Sequence, residues 1–365
     1  MMSEAAIRKP GGWRRALRWL KRILLGLLAL LLLVVVIGAI YEALGRRSAE
    51  ANYPPPGKLV DVGDRKMHID CRGTGSPTVI LESGLGTGGT TDWTLVHDQI
   101  AGFTRTCAYD RAGIMWSDAK DTPQRASAVA NDLHALLKGA GINDPLVLVG
   151  HSIGGPYTRT YVGKYGDQVA GLVMVDTSHP DQVARLGKVS GINAHPNRAS
   201  AIMHGAKALA WTGIVRFLIK RSETPKLRTE SETRKLAAAL AIAGAYGSTS
   251  IRGSASELDG FDQTMDDARA VHSFGNRPLI VLTAMAPFKP EQLTGLGLKA
   301  EQGAAFKQEW KTLHTEQAAF STRGRQQLVP DATHYIQIDR PEVVSAAVRE
   351  VVDTVRADAQ TAAKK

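Results

Sequence analysis

The chain has 365 residues, of which 44% are hydrophobic and 22% charged, so it is long and apolar enough to bury a large core. Its formal net charge is +10, but residues 1–47 hold nine Lys and Arg against two Glu, which leaves +3 for the remainder. That remainder contains no basic tract interleaved with aromatic residues, so the composition argues against nucleic-acid binding.

The amino-terminal region predicts a membrane anchor. Residues 23–41 carry no charge, and a helix of that length spans roughly 28 Å, close to the hydrocarbon thickness of a bilayer. Most of the basic residues lie in segment 1–22, which the positive-inside rule places in the cytoplasm, with the rest of the chain across the membrane. The alternative is a signal peptide cleaved near Ala43–Gly45, although such peptides have apolar regions of only about 7–15 residues. The proline-containing residues 42–57 are predicted to be a juxtamembrane linker.

Short apolar runs alternate with segments of helical periodicity along the rest of the chain. Strands are expected at residues 58–62, 66–71, 77–84, 103–110, 146–149, 171–176, 278–284 and 326–330. Helices are expected at residues 124–139, 154–165, 300–319 and 341–356. This alternation indicates an α/β fold with a mostly parallel central sheet flanked by helices. Residues 58–180 and 277–357 would form the core, residues 181–276 a largely helical insertion, and residues 358–365 a flexible tail.

One serine follows a buried strand within a cluster of small residues. In LVLVGHSIGG, residues 146–155, Ser152 lies between Gly150 and Gly154 in a G-x-S-x-G pattern. This pattern is typical of a nucleophile elbow, a sharp strand-to-helix turn that exposes the serine at the edge of the sheet. The glycines are needed because side chains there would collide with the neighbouring strand and helix. The alternative is a glycine-rich loop that contains an incidental serine.

Four ordered blocks together resemble the α/β-hydrolase superfamily. They are LESGLGTGG after the third strand, AYDRAGIMWSD after the fourth, VLVGHSIGG at the elbow and VPDATHYIQIDRPEVV near the carboxyl end. The resemblance implies an α/β-hydrolase fold, with residues 181–276 as a helical cap inserted after strand 6. One departure is Met115, which stands where the family usually has glycine. The neighbouring Asp110 and Arg111 are interpreted as a structural pair that fixes this loop.

The resemblance also implies a nucleophile, an acid and a histidine in that chain order. Ser152 fits the nucleophile and His334 the general base, since a serine needs an adjacent base to become reactive. His314 lies in a helical run and is expected at the surface, whereas His151 is expected to pack beside the nucleophile. Pro287 occupies the place where much of the family has its acid.

Three carboxylates compete for the role of the acid. Asp176, at the end of strand 6, would lie at the same sheet edge as Ser152, where α/β sites form. It is favoured over Glu291, the carboxylate nearest the usual family position, and over Asp331. The alternative for Asp176 is a structural cap of the turn that follows it.

Backbone donors for an oxyanion are implied at two positions. The family takes them from the residue after the nucleophile, here Ile153, and from the loop after strand 3, here Leu85. Gly84 and Gly86 would let that loop approach closely. The same loop lacks the G-K-[ST] ending of a phosphate-binding loop. No set of possible ligands has convincing metal-site spacing, and no cofactor is implied.

The chain contains two cysteines, Cys71 and Cys107. The family's strand order places strand 2 beside strand 4, which would bring these two residues together as a disulfide. A disulfide is expected only in an oxidising compartment, in agreement with the orientation predicted from charge. The alternative is a pair of buried free thiols.

These observations predict a membrane-anchored serine hydrolase with its catalytic domain on the extracytoplasmic side, the periplasm if the source is bacterial. Its substrate would be a small-molecule carboxylic ester or a lipid-like molecule, because the insertion is rich in apolar helical segments. Thioesterase, lactonase, peptidase and carbon–carbon hydrolase activities use the same triad and stay open. The alternative from another class is a non-catalytic protein that binds an apolar ligand on a hydrolase fold.

Overall fold

The computed structural model describes residues 12–219 and 225–364. Within them, eight strands form one sheet in the order β1-β2-β4-β3-β5-β6-β7-β8. The strands β3 to β8 run parallel to one another, whereas β1 and β2 are antiparallel to their neighbours. The strands are β1 (Lys58–Asp61), β2 (Lys66–Arg72), β3 (Thr78–Glu82), β4 (Thr106–Tyr109), β5 (Leu146–His151), β6 (Val169–Val175), β7 (Leu279–Ala284) and β8 (Gly324–Val329).

Helices cover both faces of the sheet. They are α1 (Gly12–Asn52), α2 (His97–Ala101), α3 (Ala126–Gly139), α4 (Gly154–Tyr165), α5 (Gln182–Ser190), α6 (Asn197–Leu209), α7 (Ile214–Ile219), α8 (Glu230–Asp259), α9 (Phe261–Arg269), α10 (Pro290–Leu296), α11 (Ala300–Ala318), α12 (Ile336–Asp339) and α13 (Pro341–Ala363). Successive residues of a strand point to opposite faces, so Leu148 packs with α3 and α4, whereas Val147 and Val149 pack with α13. The predicted alternation of strands and helices is therefore observed.

Two terminal segments differ from expectation. Helix α1 does not stop at the end of the apolar run but continues to Asn52, through most of the predicted linker. Its last turns pack on the domain, with Ala49 in a cluster that includes Ile114 and Tyr246. Helix α13 continues to Ala363, through most of the predicted tail. In the described part of the chain, α1 is the single helix long and apolar enough to cross a membrane.

The segment between β6 and β7 is helical, from α5 to α9. Its longest element, α8, begins with a capping box in which the Thr229 hydroxyl accepts from the Glu232 amide and the Glu232 carboxylate accepts from the Thr229 amide. The far end of α8 reaches the loop after β3, which also borders the elbow serine. The helical insertion is thus physically joined to the candidate site.

The cysteine pair lies at the antiparallel junction of β2 and β4. Cys71 and Cys107 are direct register partners there, and their sulfur atoms are bonded. This strand order is the one on which the predicted pairing depended.

Candidate active site

The elbow holds Ser152 in a strained conformation between β5 and α4. Its φ is +53°, a left-handed value that is uncommon for a residue with a side chain. The glycines on either side allow the turn because a Cβ on Gly150 would lie 2.7 Å from the Gly154 carbonyl oxygen. A Cβ on Gly154 would lie 2.6 Å from the Glu82 carbonyl oxygen. The sharp turn therefore places the hydroxyl at the carboxyl edge of the sheet.

His334 joins the serine to an aspartate. It lies in the loop between β8 and α12, and its Nε2 is 3.0 Å from the Ser152 Oγ, which donates to it. Its Nδ1 donates to the Asp176 carboxylate over 2.7 Å. The three side chains form a continuous relay in which the histidine can take the serine proton while the carboxylate fixes the ring orientation.

Asp176 is the carboxylate that the fold brings to His334. It follows β6 directly, with a φ of +45°, and is 2% exposed. Its other oxygen accepts hydrogen bonds from the Ala284 amide at 2.8 Å and the Trp310 indole at 2.9 Å. Burial alone would raise the pKa of Asp176, but the hydrogen bond and charge of His334, with the other donors, lower the pKa to about 2. The group is thus charged at neutral pH.

The two competing carboxylates lie elsewhere. Glu291 is exposed in the first turn of α10. Asp331 is exposed and forms an ion pair with Arg340. Neither has a hydrogen bond to His334 in the described structure.

The two expected oxyanion donors belong to one packed cluster. Leu85 and Ile153 pack with Tyr157, Phe261 and Met265. Gly84 permits this approach, because a Cβ there would lie 3.2 Å from the Ser152 Cβ and 2.8 Å from the His151 ring. Within residues 12–219 and 225–364, no protein acceptor binds the Leu85 or Ile153 amide. Both amides are available to a developing negative charge.

A model of the α/β-hydrolase fold matches residues 77–208, which include the elbow and the loop after β3. The chain thus has the α/β-hydrolase fold, and over these residues it matches that superfamily. The predictions of fold class and of family are confirmed by this match together with the sheet order described above.

Curated proteins of similar sequence match parts of the chain of different length. This chain is 25% identical over 283 residues to the uncharacterised Bacillus subtilis protein YqjL, and the match covers 77% of this chain and 85% of that protein. It is 30% identical over 159 residues to an uncharacterised Schizosaccharomyces pombe protein, where the match covers 36% of this chain and only 30% of the yeast protein.

Two solved structures share the fold. An esterase from Thermogutta terrifontis superposes with a TM-score of 0.53 at 21% identity, covering 82% of this chain and 98% of the esterase. An enol-lactonase from Burkholderia xenovorans superposes with a TM-score of 0.56 at 17% identity, and the match covers 81% of this chain and 100% of the lactonase.

A buried charge network supports the loop after β3, and sequence reasoning did not find it. The Arg111 guanidinium donates to the Glu82 carboxylate at 2.6 Å and to the Glu257 carboxylate of α8 at 2.7 Å. It also donates to the backbone carbonyls of Ser83 at 2.8 Å and Gly84 at 2.7 Å. Arg111 thereby holds the segment that leads into the Leu85 amide.

The predicted pairing of Asp110 with Arg111 is wrong. Asp110 instead accepts from the His68 ring and from the Thr90 amide, each at 2.7 Å. The two side chains that follow β4 point in different directions. The Asp110 carboxylate binds His68 in the antiparallel part of the sheet, whereas the Arg111 guanidinium binds the loop after β3. The charged Glu82 within an apolar strand was the one sequence signal of a buried cationic partner.

Two other histidines lie near the triad. His151 packs beside the nucleophile, where its Nε2–H donates to the His334 carbonyl at 3.0 Å. Burial and the nearby His334 lower the pKa of His151 to about 3, so this ring is neutral. The surface position expected for His314 is wrong: it is fully buried, donating to the Thr177 carbonyl at 2.9 Å and accepting from the Thr283 hydroxyl at 2.8 Å. Helix α11 turns this face towards the sheet.

No metal centre is evident in the portion of the chain described. No group of three or more His, Cys, Asp or Glu side chains there is arranged to hold a metal ion.

Proposed function

We propose that this chain is a membrane-anchored serine hydrolase that cleaves carboxylic esters of hydrophobic acids or alcohols. The observation that carries the proposal is the relay from the Ser152 hydroxyl through His334 to Asp176, with distances of 3.0 and 2.7 Å. The shared fold with an esterase and an enol-lactonase is consistent with acyl chemistry.

The reaction would proceed through an acyl-enzyme. The Ser152 Oγ attacks the acyl carbon while its proton passes to the His334 Nε2, and Asp176 stabilises the resulting imidazolium. The amides of Leu85 and Ile153 would stabilise the tetrahedral oxyanion. Collapse expels the alcohol, which takes the proton from His334. Water, deprotonated by the same histidine, then cleaves the acyl-enzyme and releases the acid.

Anchoring is supported by α1 and by the charges that flank it. Its apolar run is exposed in the protein, and most neighbouring basic residues precede it. The positive-inside rule then favours a catalytic domain on the extracytoplasmic side, the periplasm in a bacterium. The Cys71–Cys107 disulfide favours the same oxidising side.

The deciding experiment is labelling of Ser152 by a fluorophosphonate, combined with hydrolysis of p-nitrophenyl butyrate. Ser152→Ala should abolish both signals, and His334→Ala should reduce them by at least about 10³-fold. Asp176→Asn should lower kcat/KM by about 10³–10⁴-fold, because the ring of His334 loses its orienting acceptor. Glu291→Gln is the matched control and should leave both rates unchanged.

The opposite results would identify a different protein. A folded wild-type chain that neither reacts with the probe nor hydrolyses esters would overturn the mechanism and support a non-catalytic ligand-binding protein. Equal losses in Asp176→Asn and Glu291→Gln would contradict the assignment of the acid.

A further inference from the structure

The membrane-proximal end of the helical insertion packs against α1 where its apolar run ends. A Cβ on Gly38 would lie 2.1 Å from the Thr212 carbonyl oxygen, and one on Gly213 would lie 2.4 Å from the Gly38 carbonyl oxygen. Only glycine at both positions allows backbones to approach this closely, as in small-residue contacts between membrane helices. The segment 209–219 is therefore level with the last residues of the apolar run 23–41.

A buried ion pair fixes this arrangement. Glu42, the first charged residue after the apolar run, is 3% exposed and accepts from the Arg216 guanidinium of α7 at 2.8 Å. The same carboxylate accepts from the Ser248 hydroxyl of α8 at 2.7 Å. Removing one partner of such a pair would leave an uncompensated buried charge, so α1, α7 and α8 are held together at this level.

Large apolar side chains next to this contact face outward. We define the cap apolar patch as Leu209, Trp211, Ile214 and Leu218, of which Trp211 is 55% and Leu218 59% exposed. Leucines of the apolar run in α1 are exposed to the same extent, for example Leu33 at 55%. Contiguous exposed apolar surface is a sign of an interaction site, and tryptophan is enriched at membrane interfaces.

A cavity of about 670 Å³ lies on the inner side of the same contact. It is bordered by Tyr41 and Ala49 of α1, by Ile219 of α7 and by Ala241 of α8, and it reaches Thr87 in the loop after β3. Thr87 is two residues beyond Leu85, the expected oxyanion donor. The volume is in the range of small-molecule sites. The cavity thus connects the level of the bilayer surface with the neighbourhood of the candidate active site.

We propose that the cap apolar patch lies in the headgroup region of the bilayer and that the cavity beside α1 receives the hydrocarbon chain of an ester drawn from the membrane. The ester group then reaches Ser152 past Thr87. This inference rests on the proposed anchor and ester hydrolysis, and it adds a membrane-resident, long-chain substrate and its route. The alanine, leucine and isoleucine side chains in the cavity wall would bind the chain by excluding water, and polar groups such as Asn52 and Arg216 also border the cavity.

The patch is tested without reference to activity. In the full chain, Ile214→Cys and Leu218→Cys each receive an environment-sensitive fluorophore, which reacts with the introduced thiol because Cys71 and Cys107 are bonded. The variants are placed in vesicles of phosphatidylcholine and phosphatidylglycerol that contain nitroxide-labelled lipid. Leu328→Cys, at an exposed leucine of β8, is the matched control.

The expected result is a blue-shifted emission at positions 214 and 218, with quenching several-fold stronger than at position 328. Equal quenching at all three positions would overturn the patch as a bilayer contact. Since this readout needs no catalysis, it is independent of whether Ser152 hydrolyses esters.

The cavity is tested by filling it. Ala238 and Ala241 are both exposed on α8, but of the two only Ala241 borders the cavity, so Ala241→Trp adds an indole at the cavity wall and Ala238→Trp adds one elsewhere. Ala241→Trp should lower kcat/KM for p-nitrophenyl palmitate in vesicles by about tenfold or more, with hydrolysis of p-nitrophenyl acetate unchanged. Ala238→Trp should leave both substrates unchanged.

The two proposals fail in different ways. An Ala241→Trp variant that hydrolyses the long-chain and short-chain esters at wild-type rates would overturn the cavity as the chain site, although ester hydrolysis would stand. Loss of Ser152 labelling in that variant would show a disturbed catalytic centre, and Gly244→Leu, which also borders the cavity, would then have to reproduce the long-chain defect for the proposal to survive.

Discussion

Strained backbone coincides with the candidate active site in this protein. Among the described residues, three other than glycine have positive φ: Met115 at +47°, Ser152 at +53° and Asp176 at +45°. Two of them belong to the relay, so the strain serves to present their side chains at the sheet edge. Met115 explains the departure from the family's glycine: the loop keeps the left-handed conformation, and the Met115 amide donates to the Ser250 hydroxyl of α8 at 2.9 Å. Burial of the methionine in the cluster around Ala49 offsets the strain.

Asp92 gives the stability of the fold a dependence on pH between acid and neutral conditions. Its carboxylate lies against Gly88, where a Cβ would be 2.1 Å from it. Burial raises the pKa of Asp92 to about 7; Arg111 opposes the rise and the charges of Asp110 and Glu257 add to it. The folded state therefore holds a proton that the unfolded state releases above its ordinary pKa of 3.8. Stability should fall as pH rises from about 4 to about 7.

Asp92→Asn should remove the loss of folding stability that accompanies the rise in pH. We expect the melting temperature at pH 8 to rise by about 3 °C or more relative to the wild type, with little change at pH 4. Thermal unfolding in detergent at both pH values measures the effect, and Asp167→Asn, at an exposed aspartate, serves as the control. An equal shift at the two pH values would mean that the carboxyl does not titrate in this window.

Among the elements, the strands and the local motifs were predictable, whereas long-range partners were predictable only where the family resemblance supplied the order of the strands. The central strands are short apolar runs bounded by turn residues, and the elbow could be predicted because Ser152 and its two glycines lie within five consecutive residues. The role of His334 could be predicted from the sequence because this residue follows the last strand. The prediction that Asp176 is the acid depended on knowing which strand ends lie side by side. Only the order of the strands in the sheet gives that information. Arg111 and Glu257 are 146 residues apart, and no periodicity connects them.

The boundaries of α1 and the burial of His314 show a related limit. Hydropathy finds the end of an apolar run, but the helix continues because Glu42 and Ala49 are buried against the insertion. Likewise, His314 looks like a surface residue until the contact between α11 and the sheet is known. In both cases tertiary packing, not local composition, decides the outcome.

Helix α8 ties the insertion to the catalytic loop through a second contact besides Glu257. The Ser254 hydroxyl donates to the Gly86 carbonyl at 2.7 Å, next to the Leu85 donor. Two residues along the same helix, Ser256 donates to the Thr122 carbonyl at 3.1 Å, away from that loop. The two serines thus form a matched pair.

Ser254→Ala should slow fluorophosphonate labelling of Ser152 by about three- to tenfold, because one hydrogen bond worth about 1 kcal/mol no longer holds the loop. Ser256→Ala should leave labelling unchanged, while both variants lose a similar, small amount of stability. Labelling rates and melting temperatures of the two variants separate a positioning effect from a general one. Equal labelling rates would show that α8 does not position the loop through Ser254.

At the scale of the whole molecule, α1 is joined to the folded domain without a flexible linker. A flexible linker would let a catalytic domain turn freely above the membrane, but here one continuous helix runs from Gly12 to Asn52 and its last turns are packed into the domain. With α1 in a bilayer, as proposed, the fold would fix the orientation of the proposed triad relative to the membrane. Which side of the membrane the domain occupies is then a single question for the entire molecule.

The oxidation state of the two cysteines is a direct test of which side of the membrane the domain occupies. The chain has two, and the bonded pair closes a loop with a sequence separation of 36 residues. In an oxidising compartment the bond persists, whereas the cytoplasm would keep both thiols reduced. We expect the full chain, expressed in bacteria and acid-quenched, to react with a polyethylene-glycol maleimide after denaturation only when a reductant has been applied first.

Two additions per chain after reduction, and none before, would agree with an extracytoplasmic domain. Cys71→Ser with Cys107→Ser should show no addition and should lose about 4 kcal/mol of stability, the chain-entropy value for a loop of this size. A chain that gains two additions without any reductant carries free thiols in the cell. That result would contradict the orientation inferred from the basic residues before α1, and the direction of the whole molecule would have to be reversed.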